Sequence, residues 1–219
     1  MLRLEDVHVT VRRITILRGV SLEVPDATVV GLVGRNGAGK TTTVRAVMGL
    51  IPVARGVLHY DGVDLRAVPA HRRAAVGIGY MPEDRRLIPH LTVQENLLLP
   101  AWVNGFPDAQ ARLETVYGWM PGLKALAPRP AGQLSGGQQK LVALGRALVA
   151  GSRLLVLDEP FEGLAPALAD QLADTLGEAV RQGRAALVAE SEHHRLEALA
   201  DRGYAIERGE VVPDAESTG

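Results

Sequence analysis

GRNGAGKTTT, residues 34–43, decides the fold, together with the apolar run ATVVGLV (27–33) before it and the helical stretch after it to about Leu50. Gly34, Gly39, Lys40 and Thr41 satisfy G-x-x-x-x-G-K-[ST], a loop that joins a strand to a helix. A continuous apolar run predicts a strand buried on both faces, as in a parallel sheet. Gly34, Gly37 and Gly39 let successive backbone N–H groups turn inward around phosphate oxygens, with Asn36 and Thr42 on the same loop. The helix N-terminus adds the positive end of its dipole. Lys40 is then placed to reach β- and γ-phosphates, and the Thr41 hydroxyl to ligate Mg2+.

Further along, strands and helices alternate. RLLVLD (153–158) and AALVA (185–189) read as buried strands, with helices expected over 136–150, 166–182 and 192–201. The first of these strands ends in Asp158 and Glu159. Its buried apolar residues bring Asp158 beside the phosphate loop, where Mg2+ coordination needs a carboxylate. Glu159, one residue further, is placed to orient or deprotonate a water. LSGGQ (134–138) opens helix 136–150 with Ser135 as a plausible N-cap and two glycines, Gly136 and Gly137, behind it.

Before the loop, LRLEDVHVTV (2–11) alternates apolar and polar residues like a strand with one wet face. SLEV (21–24), VLHY (57–60) and VGIGYM (76–81) add short strands. The early strands are expected to form an antiparallel flank on a mainly parallel α/β sheet. Between Pro82 and Gln133 the β pattern fades, and helical pieces such as 108–119 read as a separate lobe. A hairpin around Arg208-Gly209 closes the fold, and the polar tail from Pro213 reads as loose.

Bulk properties narrow the function classes. A formal charge of −1 over 219 residues argues against a general nucleic-acid binder. The absence of cysteine excludes disulfides and thiolate metal sites. No run approaches 18 unbroken apolar residues, and MLRLEDVHV lacks a signal-peptide pattern. His193 and His194, adjacent on an expected helix, lie about 100° apart and cannot both face one small site.

The order of P-loop, LSGGQ and Asp-Glu strand resembles the ATP-binding cassette of ABC transporters, over nearly the whole chain. Within that family it looks most like the smaller ATPase of branched-chain amino-acid importers. MPEDRRLIPHLTVQENL (81–97), EPFEGLAP (159–166) and LADRGYAIERGEVV (199–212) carry the likeness. Importers of urea or short amides share much of the pattern. The resemblance implies a P-loop NTPase cassette with a core of about 1–83 and 141–212, a helical subdomain of about 84–140, and a loose tail at 213–219. It implies ATP and Mg2+ as cofactors and a second cassette, identical or not. The partner's Ser135-Gly136-Gly137 helix end would close on each P-loop from across the dimer interface. It further implies integral-membrane permease subunits, a periplasmic solute-binding protein acting indirectly, no nucleic acid, and a cytoplasmic location on the inner face of the cell membrane. Leu97, Leu98, Leu99, Trp102 and Phe106 lie near the groove where the permease would dock, most of them as core of the lobe.

Three positions depart from the family. Val11 stands where an aromatic usually stacks on adenine, with Arg12 or Arg13 as possible substitutes. Glu83 stands where a glutamine usually touches Mg2+ and the water, so that Glu83, Asp158 and Glu159 are expected as three carboxylates around one metal. Counting back from LADRGY without gaps puts Ser191 on the position that senses the γ-phosphate, whereas a shift of one or two residues brings His193 there. A hydrolysis-poor regulatory cassette is the alternative that Val11 and Ser191 raise. A DNA- or ribosome-remodelling ATPase is disfavoured by the lack of coiled-coil or zinc insertions.

Overall fold

The computed structural model describes residues 1–192 and 196–212. His193, His194 and the tail 213–219 lie outside the described residues.

Two sheets and six helices make up the described chain. A four-stranded antiparallel sheet has the order β2-β1-β4-β5, from Leu2–Val11 (β1), Ile14–Val24 (β2), Arg55–Tyr60 (β4) and Val63–Asp64 (β5). A six-stranded sheet has the order β10-β9-β3-β8-β7-β6. Its strands are Val29–Val33 (β3), Ile78–Met81 (β6), Leu154–Asp158 (β7), Ala185–Glu190 (β8), Arg202–Glu207 (β9) and Glu210–Val212 (β10). β6, β7, β8, β3 and β9 are parallel and β10 is antiparallel. The helices are Lys40–Val47 (α1), Val93–Asn104 (α2), Ala109–Trp119 (α3), Pro121–Leu126 (α4), Gly136–Ala150 (α5) and Pro166–Arg181 (α6).

Strand parity divides the apolar residues between two cores. Successive side chains of a strand point to opposite faces. Accordingly Val29 and Val33 of β3, with Leu155 and Leu157 of β7, join a core shared with α2, α3, α5 and α6. Val30, Leu32, Leu154 and Val156 join a second core with α1 and the antiparallel sheet. The runs read as continuous because both faces are covered. α6 follows the helical version of this rule: Ala169, Leu172, Leu176 and Ala179 recur every three or four residues and are buried.

The structure lengthens β2 to begin at Ile14, well before Ser21. The tight hairpin that permits this turns on Arg12 and Arg13, both left-handed at φ 49° and 70°. Such positions usually carry Asn or Gly, so the turn has no sequence signal. α1 ends at Val47, short of Leu50, and β6 begins at Ile78 because residues 74–76 form a 3-10 turn closed by left-handed Gly77. α2 to α4 lie between β6 and β7 in the chain, and a capping box fixes the start of α2: the Thr92 side chain accepts from the N–H of Glu95, whose carboxylate accepts the N–H of Thr92.

Candidate functional site

Parallel strands deliver their C-terminal ends to one edge of the sheet. That edge gathers the P-loop after β3, Glu83 after β6, Asp158 and Glu159 after β7, and Ser191 after β8. Crevices at such carboxyl edges are where open α/β sheets take ligands. Here the crevice is a cleft of about 450 Å3 lined by Asn36, Gly37, Gly39, Lys40, Thr41, Thr42, Glu83 and Glu159, with Ile16 and Glu162 beside them.

Backbone constraints shape the loop. Gly39 has φ 122°, and a Cβ on Gly34 would lie 2.3 Å from the Ile206 carbonyl oxygen. α1 has no side-chain cap, and the Thr43 N–H bonds the Gly39 carbonyl at 2.9 Å. The N–H groups of Lys40, Thr41 and Thr42 precede that bond and have no intrahelical acceptor. They form a set of donors at the positive end of a helix, on residues that line the cleft.

Lys40 is 4% exposed and its ammonium is fully engaged. It donates to the Gly34 carbonyl at 2.7 Å and to the Ser191 hydroxyl at 2.9 Å, and pairs with the Glu159 carboxylate at 3.1 Å. Ser191 joins these groups: its hydroxyl donates to Glu159 Oε1 at 2.6 Å, its N–H donates to Glu159 Oε2 at 3.0 Å, and its oxygen lies 2.8 Å from the Asn36 amide. Burial opposes ionisation of Glu159, but hydrogen bonds from Glu190, Ser191 and Lys40 outweigh it and hold the carboxyl below its ordinary value. Glu190 shows the converse. Burial and the adjacent Glu159 push its carboxyl up to about 8.

Thr41 donates its hydroxyl to Asp158 Oδ1 at 3.1 Å. The other carboxylate oxygen of Asp158 is buried without a partner. Burial pushes Asp158 up to about 6, against the Thr41 hydrogen bond and with the negative fields of Glu83 and Glu159 adding to the rise. Paired oxygen donors on a carboxylate with one open oxygen fit a small hard cation such as Mg2+.

Not every expected residue comes to the cleft. Glu83 and Glu159 line the cleft and their fields reach Asp158, although among the described residues no three His, Asp or Glu side chains are grouped as a ready metal cage. The left-handed turn at Glu159, φ 49°, swings its carboxylate towards Lys40 and Ser191. Val11 is 38% exposed at the hairpin and does not line the cleft, whereas Ile16 does. Ser135, Gly136 and Gly137 cap α5 away from the cleft; the Ser135 oxygen accepts the Gln138 N–H at 3.3 Å. Leu97, Leu98 and Phe106 pack in the core, Trp102 is exposed, and Leu99 lines a separate groove with Tyr80, Pro100 and Val103.

The sequence reading missed Ile16, Glu162 and two buried groups behind the cleft, Lys140 and Glu190. Lys140 carried a signal, since it is one of three lysines in the chain and falls in the helix opened by LSGG, and Glu190 carried another as the residue next to Ser191.

The ABC transporter family model matches residues 17–162, which include the P-loop, LSGGQ and the Asp-Glu strand end. The chain belongs to the ABC transporter ATP-binding family. This cassette is similar to BraG of Pseudomonas aeruginosa, a high-affinity branched-chain amino acid transport ATP-binding protein, at 35% identity over 97% of this chain and 91% of that one. A probable LivF of Archaeoglobus fulgidus, named for branched-chain amino acid transport, is 30% identical over 97% of this chain and 90% of its own. LptB of Escherichia coli, named for lipopolysaccharide export, is 30% identical over 93% and 85%. Among solved structures, an ATP-binding subunit of an ABC transporter superposes with a TM-score of 0.85 at 27% identity, covering 96% of this chain and 88% of that one. The fold is the α/β P-loop NTPase cassette, and the protein is an ATPase subunit of a transporter. No helix of the described residues is long and apolar enough to cross a membrane.

Proposed function

We propose that this cassette powers import of a small solute, branched-chain amino acids in the first instance, by hydrolysing ATP against a membrane permease. The 35% identity to a branched-chain amino acid transport ATPase over 97% of the chain carries this reading. In it, the backbone of Asn36, Gly37 and Gly39 and the first-turn N–H groups of Thr41 and Thr42 cradle the phosphates. Lys40 binds the β- and γ-phosphates. Thr41 and Asp158 hold Mg2+, with Glu83 beside them; when bound, the ion neutralises phosphate charge. Glu159 accepts the proton of the water that attacks the γ-phosphorus, ADP leaving as phosphate forms, and its depressed carboxyl keeps it ionised for that task. Ser191, in contact with Lys40, Asn36 and Glu159, holds the γ-phosphate position and reports its loss. Each site is completed by Ser135, Gly136 and Gly137 of a second cassette. The chain divides into a core of about 1–83 and 141–212 and a helical subdomain of about 84–140, the latter meeting the permease, with a periplasmic binding protein upstream and the cassette on the inner face of the membrane.

Two measurements test this. Glu159→Gln is expected to lower kcat at least about a hundredfold while retaining ATP binding; wild-type turnover would point to a hydrolysis-poor regulatory cassette. The native complex purified from membranes and reconstituted is expected to take up leucine, isoleucine or valine. Uptake of urea or short amides instead would reassign the solute. Outward movement of lipopolysaccharide would favour the second reading, raised by the 30% identity to LptB.

A further inference from the structure

The turn that follows β7 is gripped by two buried groups to which the reaction above gives no role. Lys140, in the second turn of α5, is 6% exposed. Its ammonium donates to the Glu159 carbonyl oxygen at 2.8 Å and to the Glu162 carbonyl oxygen. Glu190, the last residue of β8, is 4% exposed; its carboxyl accepts the Phe161 N–H at 2.8 Å and meets the carboxyl of Glu159. The Glu159 N–H in turn donates to the Ala189 carbonyl at 2.8 Å.

These contacts matter because of the backbone they hold. Glu159 sits at φ 49°, a left-handed conformation that a side chain with a Cβ rarely adopts. Such a residue persists where its surroundings over-determine it. Here the carbonyls at both ends of the turn are fixed from α5 and the amide between them from β8. A relaxed turn would carry the Glu159 carboxylate away from Lys40 and Ser191. Burial lowers the proton affinity of the Lys140 ammonium, which has no direct carboxylate contact, and the nearby carboxylates of Glu162 and Glu159 offset part of that loss. A hydrocarbon or a shorter side chain at this position takes the donor from the buried Glu159 carbonyl and from the half-buried Glu162 carbonyl.

We propose that Lys140 and Glu190 are positioning residues for hydrolysis, which lock the turn 159–162 and so aim the Glu159 carboxylate into the cleft. Lys140 also makes the aim depend on α5, the helix whose first residues are Gly136 and Gly137. A displacement of α5 along its axis pulls on the carbonyl of the residue that receives the proton. The proposal rests on Glu159 being that residue.

The test measures kcat and ATP affinity of the full chain for Lys140→Gln, alone and in the Glu159→Gln background. Lys140→Gln is expected to lower kcat about tenfold with the ATP Kd within about twofold, and to cost less than about twofold further, in single turnover, once Glu159 is Gln. A carboxylate that is absent cannot be misaimed, so the two losses do not multiply. Losses that multiply, or a Lys140→Gln kcat at the wild-type level, would overturn the inference. Should Lys140→Gln fail to fold, Glu190 decides. Glu190→Ala is expected to lose about tenfold in kcat, and Glu190→Gln, which keeps an acceptor for Phe161 and a donor for Glu159, to recover most of it. Equal kcat for Ala and Gln would count against the proposal. A Glu159→Gln variant that turns over normally would defeat the proton-acceptor reading itself; a slow Glu159→Gln with a normal Lys140→Gln defeats the positioning role alone.

Discussion

A buried carboxyl beside a carboxylate keeps its proton unless water or a cation takes its part, and Glu190 lies in that position against Glu159. Its carboxyl is raised from an ordinary 4.5 to about 8, with burial the largest cause. The folded chain therefore binds more protons than the unfolded chain across that window, and stability falls as pH rises through it. Asp158 contributes a slope of the same sign, centred near 6 and spent by about pH 7. Between about pH 7 and about pH 8.5 the difference between the two proteins reports Glu190: the wild type is expected to lose on the order of 1 kcal/mol more than Glu190→Gln. Parallel melting curves for the two proteins would show that Glu190 is ionised throughout. Base recognition is a second residue-scale question. Ile16, not an aromatic ring, lines the cleft, and Val11 is not among the lining residues. Without a stacking partner worth about 1 kcal/mol, ATP and GTP should bind within about threefold of each other. A strong preference for ATP in competition binding would mean that another side chain stacks.

At the scale of elements, the loop after β6 is fastened to α5 by arginines. Arg146 donates to the carbonyls of Arg85 and Arg86, and Arg85 donates to the Gly136 carbonyl at 3.2 Å and to Gln139 at 3.3 Å. Arg85 and Arg86 are both left-handed, φ 62° and 48°, so the loop depends on these external bonds. Arg146→Met should cost about 2 to 4 kcal/mol, read as a fall in Tm of several degrees, and should speed hydrogen exchange in the loop from Glu83 to Ile88. An unchanged melting temperature would mean that the loop is held elsewhere. The same contrast explains what the sequence makes legible. Strands such as β3 and β7 announce themselves because every residue must be apolar when both faces are buried, and α5 is bounded where expected because Ser135 and Gln138 reciprocally cap it. The P-loop is legible because its backbone needs glycine at fixed places. What stays hidden depends on contacts distant in sequence. The long β2 follows a turn made of Arg12 and Arg13, whose left-handed backbone no residue type there advertises. The grip of Lys140 on a turn 19 residues away, and the contacts of Glu159 with Lys40 and Ser191, come from tertiary packing that overrides local pattern.

On the scale of the whole molecule, the cleft gathers the P-loop and carboxylates but not the Ser135-Gly136-Gly137 helix end that the proposed site also requires. The cleft is lined on one side by the P-loop and on the other by Glu83, Glu159 and Glu162, while Ser135 and Gly136 are exposed at the start of α5. If a second cassette supplies that helix end, turnover must require association although binding does not. The specific activity of the isolated chain should then rise with protein concentration, whereas ATP affinity measured in the dilute chain should not. Gly136→Asp separates the two. A Cβ at Gly136 meets Arg85 Nη1 at 3.3 Å and no other atom closely, so an aspartate there has a cation to pair with and leaves the fold intact. It also places negative charge on the surface that would face the partner's phosphates, where like charges repel and the helix dipole is cancelled. Gly137 would be a poorer probe, because its Cβ would lie 2.5 Å from Leu168 and disturb packing with α6. The expected result is ATP binding within about twofold of wild type and turnover reduced at least about a hundredfold. Full turnover by Gly136→Asp, or a specific activity independent of concentration down to the dilute limit, would show that one chain hydrolyses ATP without a partner.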